Sequence, residues 1–396
     1  MKVLFGDLKT HYKQYKADID QAVSRVLESG HYILGPELEA FEKDFAAINE
    51  INYAIGCASG TEAIYLALAA CGIGVGDKVI VVAHTAVPTI SAISMTGAMP
   101  VFVDIHPDTY VMDVNKVEDL ITLRTKAIIP VHLYGQMVDM QPLLKLAAKH
   151  RLHVIEDVAQ ATGAKYKGAI AGTLGNIGAF SFYPSKNIGA FGDAGAVITK
   201  SKEQFEKLTM LRNYGQSKRY HHDIVGINSR LDEIQAAILQ CRLQYLQEWN
   251  ARRRQIAKRY TEGLADLADM VKTPVTQADN EHAFHLYVIQ VEQRDQFQTY
   301  LLEKGIQTLI HYPIPAHLQK AYAHLGYKNG NLPVSEHITK RITSLPIYPE
   351  LTDEQIDFVI DTIHSFCKER RTPLSPLILA DTIGVFNTTS NAIAAR

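Results

Sequence analysis

The chain has 396 residues but only four cysteines, Cys57, Cys71, Cys241 and Cys367, with no CxxC pair among them. That spacing offers neither a disulfide framework nor a zinc site, and it fits free thiols in a reducing compartment. Long apolar runs are also missing. None approaches the ~20 residues of a membrane span, and the start, Met1-Lys2-Val3-Leu4-Phe5-Gly6-Asp7, has no signal-peptide core. A cytoplasmic protein with no metal and no membrane partner is expected. An excess of one charge is lacking too: the formal net charge is -2, so no basic field predicts a nucleic-acid partner. The one short basic run, Arg252-Arg253-Arg254, lies in a long polar helical pattern and reads as a solvated helix face. There is no internal repeat and no low-complexity block.

What is present is an ordinary globular composition, 47% hydrophobic and 21% charged, with material for one large and one smaller domain. A helix is predicted from Ser59-Gly60-Thr61-Glu62 to Gly72, with Ser59 or Thr61 as N-cap. Near-continuous apolar runs at 78–82, 100–104, 127–131 and 152–156 read as strands of a mostly parallel sheet covered on both faces. Helical stretches such as 141–150 lie between them, so the class is α/β with three layers. After residue 201 the pattern becomes α+β: one long helix over 229–263, a strand at 286–291, a helix at 293–304 and a strand at 307–310. The expected division is 1–250 as a large domain with an N-terminal arm, 251–370 as a small C-terminal domain, and 371–396 as a loosely patterned tail.

Gly72-Ile73-Gly74-Val75-Gly76 imitates a dinucleotide loop, but it follows a helix and precedes a strand. That order is reversed for pyrophosphate binding, so a helix C-cap and turn is expected. The informative stretch is 152–195. A strand ends there in Glu156-Asp157, where a carboxylate faces the ligand crevice of an open α/β sheet. Such a group could hold a protonated ring nitrogen, although a helix cap would account for Asp157 alone. Lys186 follows the apolar segment Gly178–Tyr183 in a loop rich in glycine, a setting where a lysine can be desolvated and form a Schiff base, or simply be a surface residue. Cys57-Ala58-Ser59-Gly60-Thr61 opens a helix whose free amides suit phosphate, capping being the plainer use.

At these segments the chain resembles the DegT/DnrJ/EryC1/StrS family of pyridoxal-phosphate (PLP) sugar aminotransferases, which have the fold-type-I architecture. Seven motifs in order carry the resemblance: Gly30–Pro36, Ala58–Thr61, Glu156–Gln160, Ser181–Lys186, Gly226–Glu233, Tyr312–His317 and Leu345–Glu350. The resemblance implies that Lys186 is the Schiff-base lysine and proton carrier and that Asp157 pairs with the pyridinium nitrogen. It implies that Gln160 bonds the ring hydroxyl and that Gly60, Thr61 and Ser181 bind the phosphate. Asn228 would reach the phosphate from a neighbouring subunit, making the active site a property of a homodimer. Tyr183, Tyr312 and His317 would contact the substrate, a nucleotide-linked keto sugar, with L-glutamate as amino donor.

Two positions depart from the family pattern. Ala86 stands where many relatives stack an aromatic residue on the PLP ring, leaving that face to His84 or to no aromatic residue. Tyr183 stands where many have histidine. The string His84-Thr85-Ala86-Val87 resembles the branch that aminates C3 of dTDP-3-keto-6-deoxyhexoses, with C4 amination as the alternative. C3-deoxygenating dehydratases of the family replace the lysine with histidine, and a non-catalytic regulator would not need Lys186, Asp157 and Ser181 together.

Overall fold

The computed structural model describes residues 1–371. Its centre is a seven-stranded sheet of β1 (Tyr53–Cys57), β2 (Lys78–Val82), β3 (Met99–Val103), β4 (Thr125–Ile129), β5 (His153–Asp157), β8 (Ile177–Ser181) and β9 (Gly195–Thr199). The strand order is β1-β9-β8-β5-β4-β2-β3. Only β9 runs against its neighbours. Every residue of β8 and β9 is buried. Successive side chains point to opposite faces, so both faces of the sheet are covered, giving three layers.

The helices that cover the sheet include α3 (Pro36–Ile48), α4 (Gly60–Ala70), α5 (Val87–Met95), α6 (Met140–His150) and α7 (Lys202–Leu211). Ser59 is the N-cap of α4, its Oγ accepting from Glu62 N at 3.2 Å. Beyond that cap, Gly72 and Gly76 take positive φ in a turn, as the reversed glycine order predicts. A small sheet joins β6 (Lys165–Tyr166) and β7 (Ala169–Ile170) to β13 (Asn280–Glu281), and a short hairpin pairs β10 (Gln216–Lys218) with β11 (His221–His222).

The C-terminal part holds a three-stranded sheet of β12 (Val271–Lys272), β14 (Tyr287–Val291) and β15 (Ile342–Leu345), covered by α10 (Arg294–Glu303) and α12 (Asp353–Arg371). Its apolar core is separate from the first and takes in Val3 from the N-terminal arm. Conversely, Ala316, Tyr322, Leu332 and Ile338 pack with the large core. The tail expected from residue 371 lies, from 372 onward, outside the described residues.

Three expectations are corrected. The helix over 229–263 is two helices, α8 (Glu233–Leu243) and α9 (Leu246–Gly263). The chain turns at Tyr245, whose N–H bonds back to Arg242 O and whose hydroxyl reaches Asp18 at 2.6 Å. The strand at 307–310 is reduced to isolated bridges, Leu309 to Ser344 on one side and, through Gln307 N to Val3 O, the N-terminal arm on the other. Finally, Arg253 is no solvated residue. It is 6% exposed, and its Nη1 donates to the carbonyls of Phe284, His285 and Ile347, while Arg252 and Arg254 pair with Asp353 and Glu281.

Candidate active site

The adjacent carboxylates at the end of β5 point to opposite sides of the strand and do different things. Glu156 is sealed inside. His132 Nε2 and Gly172 N donate to its Oε2 at 2.9 Å each, and Leu174 N and Gly175 N to its Oε1 at 2.8 and 2.6 Å. Burial pushes its carboxyl up, but these hydrogen bonds outweigh burial and hold it below the usual carboxylate range. Glu156 therefore anchors the 172–175 turn. Asp157 faces a cavity and accepts from Thr89 Oγ1 (2.7 Å) and Ala159 N (3.1 Å). Burial raises its pKa, against the pull of those bonds and of the Lys186 charge.

Lys186 follows β8 in a turn closed by its own N–H to Tyr183 O at 2.8 Å. Its Nζ has no hydrogen-bond partner among the described residues. Burial lowers its pKa to about 8, opposed by the attraction of Asp157. Across the same cavity lies the N-terminus of α4. The Ser59 cap occupies the Glu62 and Ala63 amides, and those of Gly60 and Thr61 have no partner among the described residues. A Cβ on Gly60 would lie 2.5 Å from Ser181 Cβ, so only glycine lets the helix start approach Ser181 this closely.

Gln160 is held from two sides. Its Oε1 accepts from Tyr134 N (2.8 Å), so its Nε2 must face Tyr312 Oη (2.9 Å). The Tyr134 hydroxyl donates to His311 O, so His84 Nε2, 2.7 Å away, donates to that hydroxyl. His84 is thus turned inward and fully buried, with a pKa lowered by burial to about 4. The residues of its segment that reach the cavity are Thr85, Ala86, Pro88 and Thr89.

Of the residues singled out in the sequence, Gly60, Thr61, Asp157, Gln160, Ser181, Tyr183 and Lys186 line one cavity of about 330 Å³, with Tyr312 opposite. Two others do not reach it. Asn228 is exposed and bridged to Asn213. His317 was expected at the substrate, but it is 1% exposed, packs near Phe102, and its Nε2 lies 2.9 Å from Glu336 Oε1. Sequence reasoning missed Thr89, His285 and His311. Thr89 stands 68 residues from the carboxylate it bonds, and no local pattern links them. Behind Lys186 a second cavity of about 350 Å³ shares Ser185, Lys186, His285 and His311 with the first.

The sequence profile of the DegT/DnrJ/EryC1/StrS aminotransferase family matches residues 13–364. The chain is 48% identical over 367 residues to dTDP-3-amino-3,4,6-trideoxy-alpha-D-glucose transaminase of Streptomyces venezuelae, covering 93% of this chain and 97% of that protein. Among solved structures it is similar to S. venezuelae DesV in complex with a ketimine intermediate, with a TM-score of 0.90 and 48% identity over 92% of this chain and 98% of that one. It is also similar to NtdA of Bacillus subtilis with bound cofactor PMP, with a TM-score of 0.85 and 35% identity over 90% and 82% of the two chains. These likenesses span both cores and every motif noted above, and the chain belongs to the DegT/DnrJ/EryC1/StrS aminotransferase family, PLP-dependent enzymes of fold type I.

Proposed function

We propose that this aminotransferase moves an amino group from L-glutamate to C3 of a dTDP-linked 3-keto-6-deoxyhexose, in the making of a deoxyamino sugar. The observation that carries the reading is Lys186: an unpartnered amine with a lowered pKa, facing a buried carboxylate across a cavity of about 330 Å³. The substrate class is supported by the relatives that act on 3-amino deoxysugars.

The donor set fits PLP. Free amides at a helix N-terminus and the Ser181 hydroxyl suit a phosphate. A buried carboxylate with a raised pKa suits a pyridinium, since pairing with that cation offsets the cost of burying the charge. When bound, PLP supplies an electron sink for the donor's α-carbon. Lys186 would hold the cofactor covalently and, once released, carry the proton on Nζ. Thr89 and Ala159 N would orient Asp157, and Tyr134 would aim Gln160 Nε2 at the ring hydroxyl. Tyr183 and Tyr312 would touch the sugar, while His317, tied to Glu336, supports the wall from behind. Ala86 would offer a bound ring no aromatic cover from this segment.

We further propose a cytoplasmic homodimer with shared sites, in which Asn228 of one subunit completes the phosphate cradle of the other. The exposure of Asn228 outside its own cavity supports this, as do the exposed Tyr214 and Val225 on the same loop. We keep a domain division near residue 250, supported by α9, where Leu246 packs in the first core and Ile256 in the second.

The decisive assay incubates the protein with PLP, L-glutamate and a panel of dTDP-keto sugars, then identifies the product by mass spectrometry and NMR. A C3 amino sugar with 2-oxoglutarate as co-product is expected; amination at C4 would replace the substrate assignment. Mixing Lys186→Ala with Asn228→Asp subunits tests the shared site. Recovered activity in mixed dimers is expected, and none, with exchange verified, removes the role of Asn228 in trans.

A further inference from the structure

None of the roles above uses His285, yet its ring lies in the wall that both cavities share. Its protonation is fixed by two buried side chains, Asn187 and Asn250. Asn250 Nδ2 donates to Thr162 O at 3.0 Å, so Asn250 Oδ1 accepts from Asn187 Nδ2 at 2.7 Å. Asn187 Nδ2 also donates to Ala283 O at 2.9 Å, so its amide cannot be reversed, and its Oδ1 faces His285 Nδ1 at 3.2 Å. An amide oxygen only accepts. The proton of His285 therefore sits on Nδ1, and Nε2 is a bare lone pair.

That lone pair takes no hydrogen bond among the described residues, and His285 lines both cavities. Lys186 lines the same two cavities, and its Nζ also has no hydrogen-bond partner among the described residues. An unpaired acceptor and an unpaired donor thus face one seam. The other acceptor near the lysine, Asp157, already accepts one bond on each oxygen, from Thr89 Oγ1 and Ala159 N. His311 offers no fixed alternative, since its Nδ1 partner, Ser344 Oγ, can donate or accept.

We propose that His285 is a positioning residue whose Nε2 accepts a hydrogen bond from Lys186 Nζ and holds the lysine at the seam between the two cavities. Burial, with the positive charges of Lys186 and Arg253, holds the imidazole well below its ordinary pKa, so it does not compete for the lysine's proton. A free lysine side chain samples many rotamers; a fixed acceptor at its tip selects the pose from which Nζ reaches the cofactor, so a larger share of the molecules is ready to react. The inference rests on the reading of Lys186 as the cofactor lysine.

The two ends of the ring can be tested separately. His285→Asn keeps a donor toward Asn187 but has no acceptor at the Nε2 position, whereas His285→Gln places an amide oxygen there and loses the bond to Asn187. Cofactor-free protein is mixed with PLP and the rise of the visible absorbance of the lysine-bound cofactor is timed. Borohydride reduction and peptide mass spectrometry then identify the modified lysine. His285→Asn should slow capture about tenfold, with His285→Gln within about threefold of wild type. Equal rates in all three proteins, a slow Gln variant beside a normal Asn variant, or two equally slow variants would each overturn the role of Nε2. Modification of another lysine would overturn the site itself, a distinct failure. Should the variants not fold, ¹⁵N NMR of the wild-type ring decides: neutral and protonated on Nδ1 is expected, and a proton on Nε2 sinks the proposal.

Discussion

The two walls of the Lys186 cavity are built on different principles. The large-domain wall is assembled from strand ends and a helix start: Asp157 closes β5, Ser181 closes β8, and Gly60 and Thr61 open α4. Each residue is placed by the regular element it terminates, and the sheet aligns those ends. The C-terminal wall consists of His285, His311 and Tyr312, which lie outside regular elements and are held by bonds across long sequence distances. Tyr134 reaches His311 O across 177 residues, Gln160 reaches Tyr312 across 152, and Asn187 reaches His285 across 98. One wall is set by secondary structure, the other by side chains of the first wall reaching over to the second. It follows that damage to the first should strike chemistry directly, whereas damage to the second should act through geometry.

The largest effect should come from Lys186→Ala, which removes the reactive group of the first wall. Turnover should fall about 10⁴-fold or more, with the thermal midpoint kept and the visible absorbance of lysine-bound cofactor gone. Near-normal turnover would discard the site. Next, Asp157→Asn and Glu156→Gln compare two neighbours on one strand. Asp157→Asn should reduce kcat about 10²–10³-fold while PLP still binds, because an amide cannot balance a pyridinium. Glu156→Gln should instead cost about 1–3 kcal/mol of stability with kcat nearly unchanged in the folded protein. A reversal of that pattern in denaturation and steady-state measurements would swap the two assignments.

Tyr134→Phe probes the second wall. It leaves the His311 carbonyl and the His84 N–H without their partner, and kcat/KM should drop about tenfold, in line with one lost hydrogen bond. An unchanged kcat/KM would show that His311 and Tyr312 need no such anchor.

The last comparison is a titration, and it leaves turnover at neutral pH untouched. Burial lowers His84 and His311 to about 4 and His282 to about 3, and His285 falls well below its ordinary value. Unfolding frees these rings to take up protons near 6.5, so the unfolded state binds more protons below that pH. Stability should therefore be flat in this contribution above about pH 7 and fall as pH drops from 6.5 toward 4, by about 1.4 kcal/mol per pH unit for each ring. Denaturant unfolding across pH 7 to 5 measures the slope. Three of these rings belong to the segments 282–285 and 311, so replacing them should flatten it more than replacing the single His84.

The difference between the walls also explains how far the sequence could be read. The strands at 78–82 and 152–156, the cap at Ser59 and the helix start at Gly60 and Thr61 were legible because hydrophobic periodicity and capping act over a few residues, and the sheet converts local ends into a common edge; a place for Ser181 came only with the family resemblance. Arg253 was misread for the opposite reason. Its polarity suggested water, and only the packed structure offers it three carbonyls in place of solvent. His317 was carried to the substrate by its motif, yet Glu336, held by the amides of Gly330 and Leu332, draws it behind the wall.

By itself, then, the sequence determined the layered α/β class, a strand that ends in two carboxylates, a lysine in a glycine-rich loop, and the helix start that suits a phosphate. Each of these depends on residues near one another in the chain. The tertiary structure decided which of two adjacent carboxylates faces the cavity, which tautomer His285 adopts and which groups oppose Lys186. Those outcomes depend on hydrogen-bond partners tens to hundreds of residues away, and a linear pattern holds no record of which distant donor will meet which acceptor.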